Sequence, residues 1–435
     1  MSAVLAGGVD QQGGACSTGL MKSLSTDSRA TRGAKREHVL AEAAKALNSH
    51  GLTQTSLAEI AQRVGVSRAA LYYYFEDQQD LVFQSYRRSC EILARRLSEA
   101  SRTRGDAMEV IEAFIDSMLE EEEAEFAALS EAAYLKPEQR STILGLYAAI
   151  QSKIAGLLED GARRGQLRPC AAGIVAQAII GLISWIPMAR RWRTSTPLSH
   201  TDMVDAIKSI LREGTAADRQ APSAYTPFDL SSAEMPMDRI FDAEAMAAAK
   251  QEALLASASW LFNLKGVDAT SLEEIALRVG VTKKVIYHNV GDKETLVVQC
   301  YRRSFNFYEN IAARTLNYAG PRISAISAST HAFSEASLRE DIAPLAPLAG
   351  FESLPASAKE EIQNSAVRIM NSYLAIYEFG QAEGSVRPMN TRALLAVQPG
   401  IFEWLPKWFD IITPEDRTMI AAELAELNRI GLSPC

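Results

Sequence analysis

Cysteine and histidine are scarce, with five of each in 435 residues. Cys16, Cys90, Cys170, Cys300 and Cys435 form no pair at metal-ligand spacing. Their odd number, in a chain without the charged-then-apolar order of an export signal, implies reduced thiols and a cytoplasmic protein. His38, His50, His200, His288 and His331 stand apart from one another, and no nucleophile elbow or phosphate-cradling glycine loop accompanies them. That argues against an enzyme, and neither metal nor cofactor is expected. Long apolar runs are missing too. The longest candidate, 171–189, is broken by Gln177, Gly181, Ser184 and Pro187, short of the roughly 18 residues of a membrane span, so it reads as a core helix. Positive charge is in deficit overall, at a net −8, which argues against general coating of nucleic acid. Locally the balance reverses: Lys22, Arg29, Arg32, Lys35 and Arg36 face only Asp27 in a Gly/Ser/Thr-rich stretch, an arm able to track phosphates. Alternating strand patterns are lacking, so the fold class is all-α.

The most informative stretch is Thr55 to Leu81. Ser56 and Glu59 form a capping box ahead of Leu57, Ile60, Ala61 and Val64, which share a helical face. Gly65 suits the left-handed residue that ends this helix, and Ser67 can cap a second one reaching about Tyr74. Helices this short need support, supplied by 34–50 before them and 78–101 after.

Gly51, Thr55, Ile60-Ala61, Val64-Gly65-Val66-Ser67, Leu71-Tyr72, Phe75 and Leu81 resemble the tetracycline-repressor (TetR) family of one-component bacterial regulators. The resemblance implies three N-terminal helices that bind DNA, a fourth that links them onward, and a larger helical domain that binds a small molecule and dimerises. One departure is Gln78, where the family usually has a lysine.

The chain also repeats itself. Gly51, Thr55-Ser56-Leu57, Ile60-Ala61, Val64-Gly65-Val66, Tyr72 and Tyr86-Arg87-Arg88-Ser89 recur 215 residues later, from Gly266 to Ser304. Gly161, Gly165, Arg168-Pro169, Trp185 and Pro187 recur at a spacing of 219 as Gly380, Gly384, Arg387-Pro388, Trp404 and Pro406. The expected organisation is therefore a basic arm (1–33), a reader (34–80), a regulatory domain (81–213), a linker (214–244), a second reader (245–295) and a second regulatory domain (296–435). Within the first regulatory domain, apolar helical spacing extends over 108–119, 124–133, 142–161, 171–186 and 203–211.

A reader helix presents its N-terminal side chains to base edges while its caps touch phosphate. Arg68, Ala69 and Tyr73 are thus expected at bases in the first reader, with Lys283, Lys284 and His288 in the second. The resemblance gives Thr55, Ser67 and Tyr72, and their counterparts Thr270, Thr282 and Tyr287, as phosphate binders, and Lys293 restores the lysine absent at Gln78. Val290 in place of Phe75 is expected to loosen the second reader. Trp185 with Trp192, and Trp404 with Trp408, stand in proline-containing segments that look like those of family members sensing acyl-CoA thioesters or lipid-derived acids. Arg190, Arg191 and Arg193 would suit such an anion. The expectation is a DNA-binding repressor released by a small-molecule effector, with double-stranded operator DNA as partner. Its two units would pair within one chain about a hinge, or pair between chains as a homodimer. The alternative is a dimerising adaptor whose second reader, or both, no longer reads DNA.

Overall fold

The structure, a computed structural model, describes residues 33–48, 51–52, 55–103, 105–120, 126–129, 132–189, 198–230, 242–347, 350–408 and 413–434. Most of the basic arm, Trp192 and its neighbouring arginines lie outside them.

In the first unit, α1 (33–48) lies behind α2 (Leu57–Val64) and α3 (Arg68–Leu71). The Ser56 hydroxyl accepts from the Glu59 amide at 3.1 Å, and Gly65 ends α2 at φ 70°, ψ 33°. A β-carbon there would carry the cost of left-handed backbone. α3 is shorter than its expected span. After Leu71 the chain turns, bringing the Phe75 amide to the Leu71 carbonyl at 3.0 Å and seating the Phe75 ring among Val39, Ile60 and Leu71. Burying a ring this way contributes about 1.5–3 kcal/mol, enough to hold two helices that could not stand alone. The second reader repeats the plan with α9 (Ala243–Lys265), α10 (Leu272–Arg278) and α11 (Lys283–Asn289). Val290 is buried in its core, so the smaller side chain keeps the position of Phe75.

The linking helices α4 (Gln78–Thr103) and α12 (Lys293–Leu316) lead into the regulatory domains. The first adds α5 (Ala107–Leu119), α6 (Pro137–Arg163), α7 (Ala172–Ala189) and α8 (His200–Glu213). The second adds α13 (Arg322–Ser337), α14 (Ala356–Glu383), α15 (Thr391–Val397), α16 (Leu405–Trp408) and α17 (Pro414–Ile430). The helix expected at 124–133 is not formed: Phe126 to Leu129 are buried but non-helical, and a single 3-10 turn follows at Ala132–Tyr134. Apolar spacing there marks burial, which a loop supplies as well as a helix. By length and composition α6 could cross a membrane, but it packs against α4 and α7 as a helix of the fold. No strand occurs among the described residues, and the one bridge joins Ala216 to Val386.

The units meet through α7 and α8 on one side and α15 and α17 on the other, and their contacts come in matched pairs. Arg168 Nε donates to the Gly431 carbonyl at 2.6 Å, and Arg387 Nε donates to the Gly214 carbonyl at 2.7 Å. At the crossing, a β-carbon on Gly181 would collide with the Gly400 carbonyl, and one on Gly400 would lie 2.8 Å from the Leu182 Cα. Over its described part the expected linker docks on the second unit. Thr215 Oγ1 donates to the Asn428 carbonyl, Arg219 bonds the Ile430 carbonyl, and Leu230 is buried against Ile311 and Ala332.

Candidate nucleic-acid interface and effector cavity

Each reader exposes one end of a short helix. Ser67 caps α3 by accepting from the Ala70 amide, and Arg68 and Ala69 are exposed beside it. Tyr72 and Tyr73 are 48% and 65% exposed, unusual for rings of this size. The Arg68 guanidinium donates to the Tyr72 hydroxyl at 3.2 Å and lies 5.8 Å from the ring centroid. Lys283 sits over the half-exposed Tyr287 ring at 5.5 Å in the same way. An ion pair with Glu273 raises the Lys283 ammonium pKa, so this cation is partly neutralised by its own reader. Thr282 and Lys284 are exposed at the start of α11, and His288 falls on its last turn.

Three expected phosphate groups bond backbone carbonyls of their own readers. Thr55 is fully buried and donates to the Gly51 carbonyl at 2.6 Å; Thr270 is 1% exposed and donates to the Gly266 carbonyl at 2.9 Å. Their hydroxyls satisfy the carbonyls that the ends of α1 and α9 leave open. Lys293 Nζ donates to the Asp268 carbonyl at 3.3 Å, and burial lowers its pKa. Gln78 does the corresponding task in the first reader, bonding the Thr55 carbonyl at 2.8 Å, so its departure from lysine leaves the loop still held.

Sequence reasoning missed how each reader is fastened to its regulatory domain. Asn48, at the end of α1, donates to the Phe126 carbonyl at 2.7 Å and accepts from the Ala128 amide at 2.8 Å. Asn263, on α9, donates to the Pro344 carbonyl and accepts from the Ala346 amide, both at 2.8 Å. Ser89 and Ser304 complete the two clips by accepting from the amides of Ala127 and Leu345. The signal was present, since Asn48 and Ser89 recur as Asn263 and Ser304 at the spacing of 215.

Beneath these clips the regulatory domains differ. The second holds a cavity of about 180 Å³ walled by Phe305, Phe333, Phe402 and Tyr373, with Glu403 and Tyr308 as neighbouring polar groups. Trp185 of the first unit lines it, anchored by its indole N–H on the Ala396 carbonyl at 2.8 Å. The corresponding space in the first unit, about 10 Å³, is met by Trp404, whose indole donates to the Gly181 carbonyl at 3.1 Å. Two of the four tryptophans named from the sequence are thus brought to cavities, each one belonging to the opposite unit. Trp192 lies outside the described residues, as does the side chain of Trp408.

A family profile described as "Bacterial regulatory proteins, tetR family" matches residues 39–84 and again 254–300, the two readers. A second, "Tetracyclin repressor-like, C-terminal domain", matches 108–216. The chain belongs to the TetR family. Its reader has been duplicated in tandem, and the fold is two TetR-like units in one all-α chain. The HTH-type transcriptional regulator AcrR of Shigella flexneri is 27% identical over 169 residues, 35% of this chain and 78% of that protein. Among solved structures, apo AibR is 17% identical over 40% of this chain and 97% of its own, at a TM-score of 0.34. The regulator PfmR of Thermus thermophilus is 21% identical over 40% and 95%, at 0.33. TetR-family regulators are ligand-responsive DNA-binding proteins.

Proposed function

We propose that this chain is a one-component repressor in which one polypeptide supplies both halves of what is ordinarily a homodimer. The observation that carries the reading is the set of matched contacts between α7–α8 and α15–α17, which hold two unlike readers in one body. Arg68, Ala69 and Tyr73 would address one half-site, and Lys283, Lys284 and His288 the other. Ser67, Tyr72, Thr282 and Tyr287 would hold phosphates, and the domain limits expected from the sequence would apply with 214–230 docked on the second unit. Unlike readers favour an operator without two-fold symmetry.

The effector would enter the cavity of the second unit and shift the reader through the loop that carries Pro344 and Ala346. The aromatic walls suit the apolar part of an acyl thioester or lipid-derived acid. They offer no cationic side chain among the described residues for its acidic head. A second reading is favoured by Lys283, tied to Glu273, and by Lys293, bonded to the Asp268 carbonyl: the second unit could serve pairing and sensing while the first reads DNA. Binding of a labelled fragment from upstream of the gene separates the two. Lys284→Ala weakens binding severalfold on the first reading and leaves it unchanged on the second, whereas Arg68→Ala impairs both. No binding to any upstream fragment would refute both readings.

A further inference from the structure

Among the positions at which the two regulatory domains differ, four bear most on their cavities. The repeat spacing of 219 pairs Tyr147 with Ala366, Gln177 with Ala396 and Ser184 with Glu403, and the spacing of 215 pairs Leu93 with Tyr308. In the first unit the Gln177 amide donates to the Tyr147 hydroxyl at 2.9 Å, and this buried pair fills the space that remains beside Leu93 and Ser184. In the second unit both members of that pair are alanine, and the room they vacate is the 180 Å³ cavity. The apolar Leu93 and small Ser184 have meanwhile become a phenol beside a buried carboxyl. At this place one unit is filled, while the other has open space with a polar end.

We infer that the second unit holds the chain's single effector site, and that it takes a small apolar molecule bearing a protonated amine, with Glu403 as counter-group. The inference rests on the effector-responsive reading given above. Size sets the apolar body: a dry cavity of about 150 Å³ holds benzene, so 180 Å³ admits one ring or a short branched chain with a small substituent. Charge sets the head. Glu403 is the one ionisable acid or base among the described lining residues apart from the tyrosines, and a ligand carboxylate would place a second like charge beside it in apolar surroundings. Gln398 has no N–H left for a ligand carboxylate, because its amide nitrogen already donates to the Tyr377 hydroxyl at 3.2 Å and to Asn428 Oδ1 at 3.1 Å. Trp185, Phe333 and Phe402 add ring faces that attract a cation.

The groups facing Glu403 are Tyr308 on α12 and Lys407 on α16. Burial pushes the carboxyl up to about 8 against their opposing influence. It is therefore mostly protonated at neutral pH while the site is empty. An ammonium ligand stabilises the carboxylate, so binding releases a proton, and affinity rises with pH up to about 8 before levelling.

Benzylamine, benzyl alcohol and benzoate, titrated into the full chain by ligand-observed NMR and calorimetry, test this. Benzylamine should bind at one equivalent per chain, at least tenfold tighter than benzoate, with affinity rising from pH 6 to 8. E403Q should cost benzylamine tenfold or more and flatten its pH profile while changing benzyl alcohol little. Ala366→Tyr, which restores the filling ring, should abolish binding of all three, with circular dichroism reporting that both variants remain folded. Benzoate binding as tightly as benzylamine, two equivalents per chain, no binding of any probe, or an unchanged affinity in E403Q would each overturn the inference. Operator-fragment binding, measured separately without probe, bears only on the regulator reading, so the two can fail independently.

Discussion

Thr55 shows what a single hydroxyl is for in this fold. Its position before a capped helix reads equally well as a phosphate ligand or as an internal donor, and only burial decides between them. Fully enclosed and bonded to the Gly51 carbonyl, it joins the end of α1 to the start of α2. Thr55→Val should therefore lower reader stability by about 1–2 kcal/mol in thermal melts, because the carbonyl loses its partner. The salt dependence of DNA binding should keep its slope, since no phosphate contact is removed. A reduced slope with unchanged melting would restore the phosphate role. The caps Ser56, Ser67 and Gly65 were legible in the sequence because their partners lie within four residues. Thr55 and Thr270 were not, although Gly51 and Gly266 are as close in sequence, because only the turn of the chain after the preceding helix aims those carbonyls at them; Lys293 was not because its partner Asp268 lies far back in the sequence.

At the scale of elements, the clip between reader and regulatory domain is the most consequential connection. Pro347 lines the cavity, and three residues earlier the same loop bonds Asn263 on α9, the first helix of the second reader. A ligand that moves this loop moves the helix it holds. Asn263→Ala should leave effector binding intact while DNA affinity ceases to respond to the effector, and it should cost roughly 1–3 kcal/mol for the orphaned carbonyl and amide. Asn48→Ala should cost similar stability and spare the response, since no comparable cavity lies beneath that clip among the described residues. Fluorescence anisotropy of labelled operator with and without effector reads the difference; an equal loss of response in both variants would sever the assigned route. Periodicity located the helices well, with α4 and α5 found within two residues of their limits. It failed at 126–129, where the buried apolar residues belong to a loop pinned by side chains remote in sequence.

At the scale of the whole molecule, duplication was plain in the sequence because insertions are few and the spacing stays constant over long stretches. What the sequence hid is that the copies exchange tryptophans across their contact and that the space beneath the clip is open in the second unit and nearly filled in the first; volume depends on side chains from several helices at once. The Gly181–Gly400 crossing sets how closely the units approach. Gly181→Val should force them apart and weaken operator binding by roughly 10²-fold, the loss expected when two linked readers no longer act together. Wild-type affinity in that variant would mean that the crossing does not govern reader spacing. The central claim, one chain with two unlike readers on one operator, is tested most directly by footprinting together with the mass of the complex in solution. The account predicts a single chain on a site whose two halves differ in sequence. A palindromic footprint occupied by two chains would contradict it.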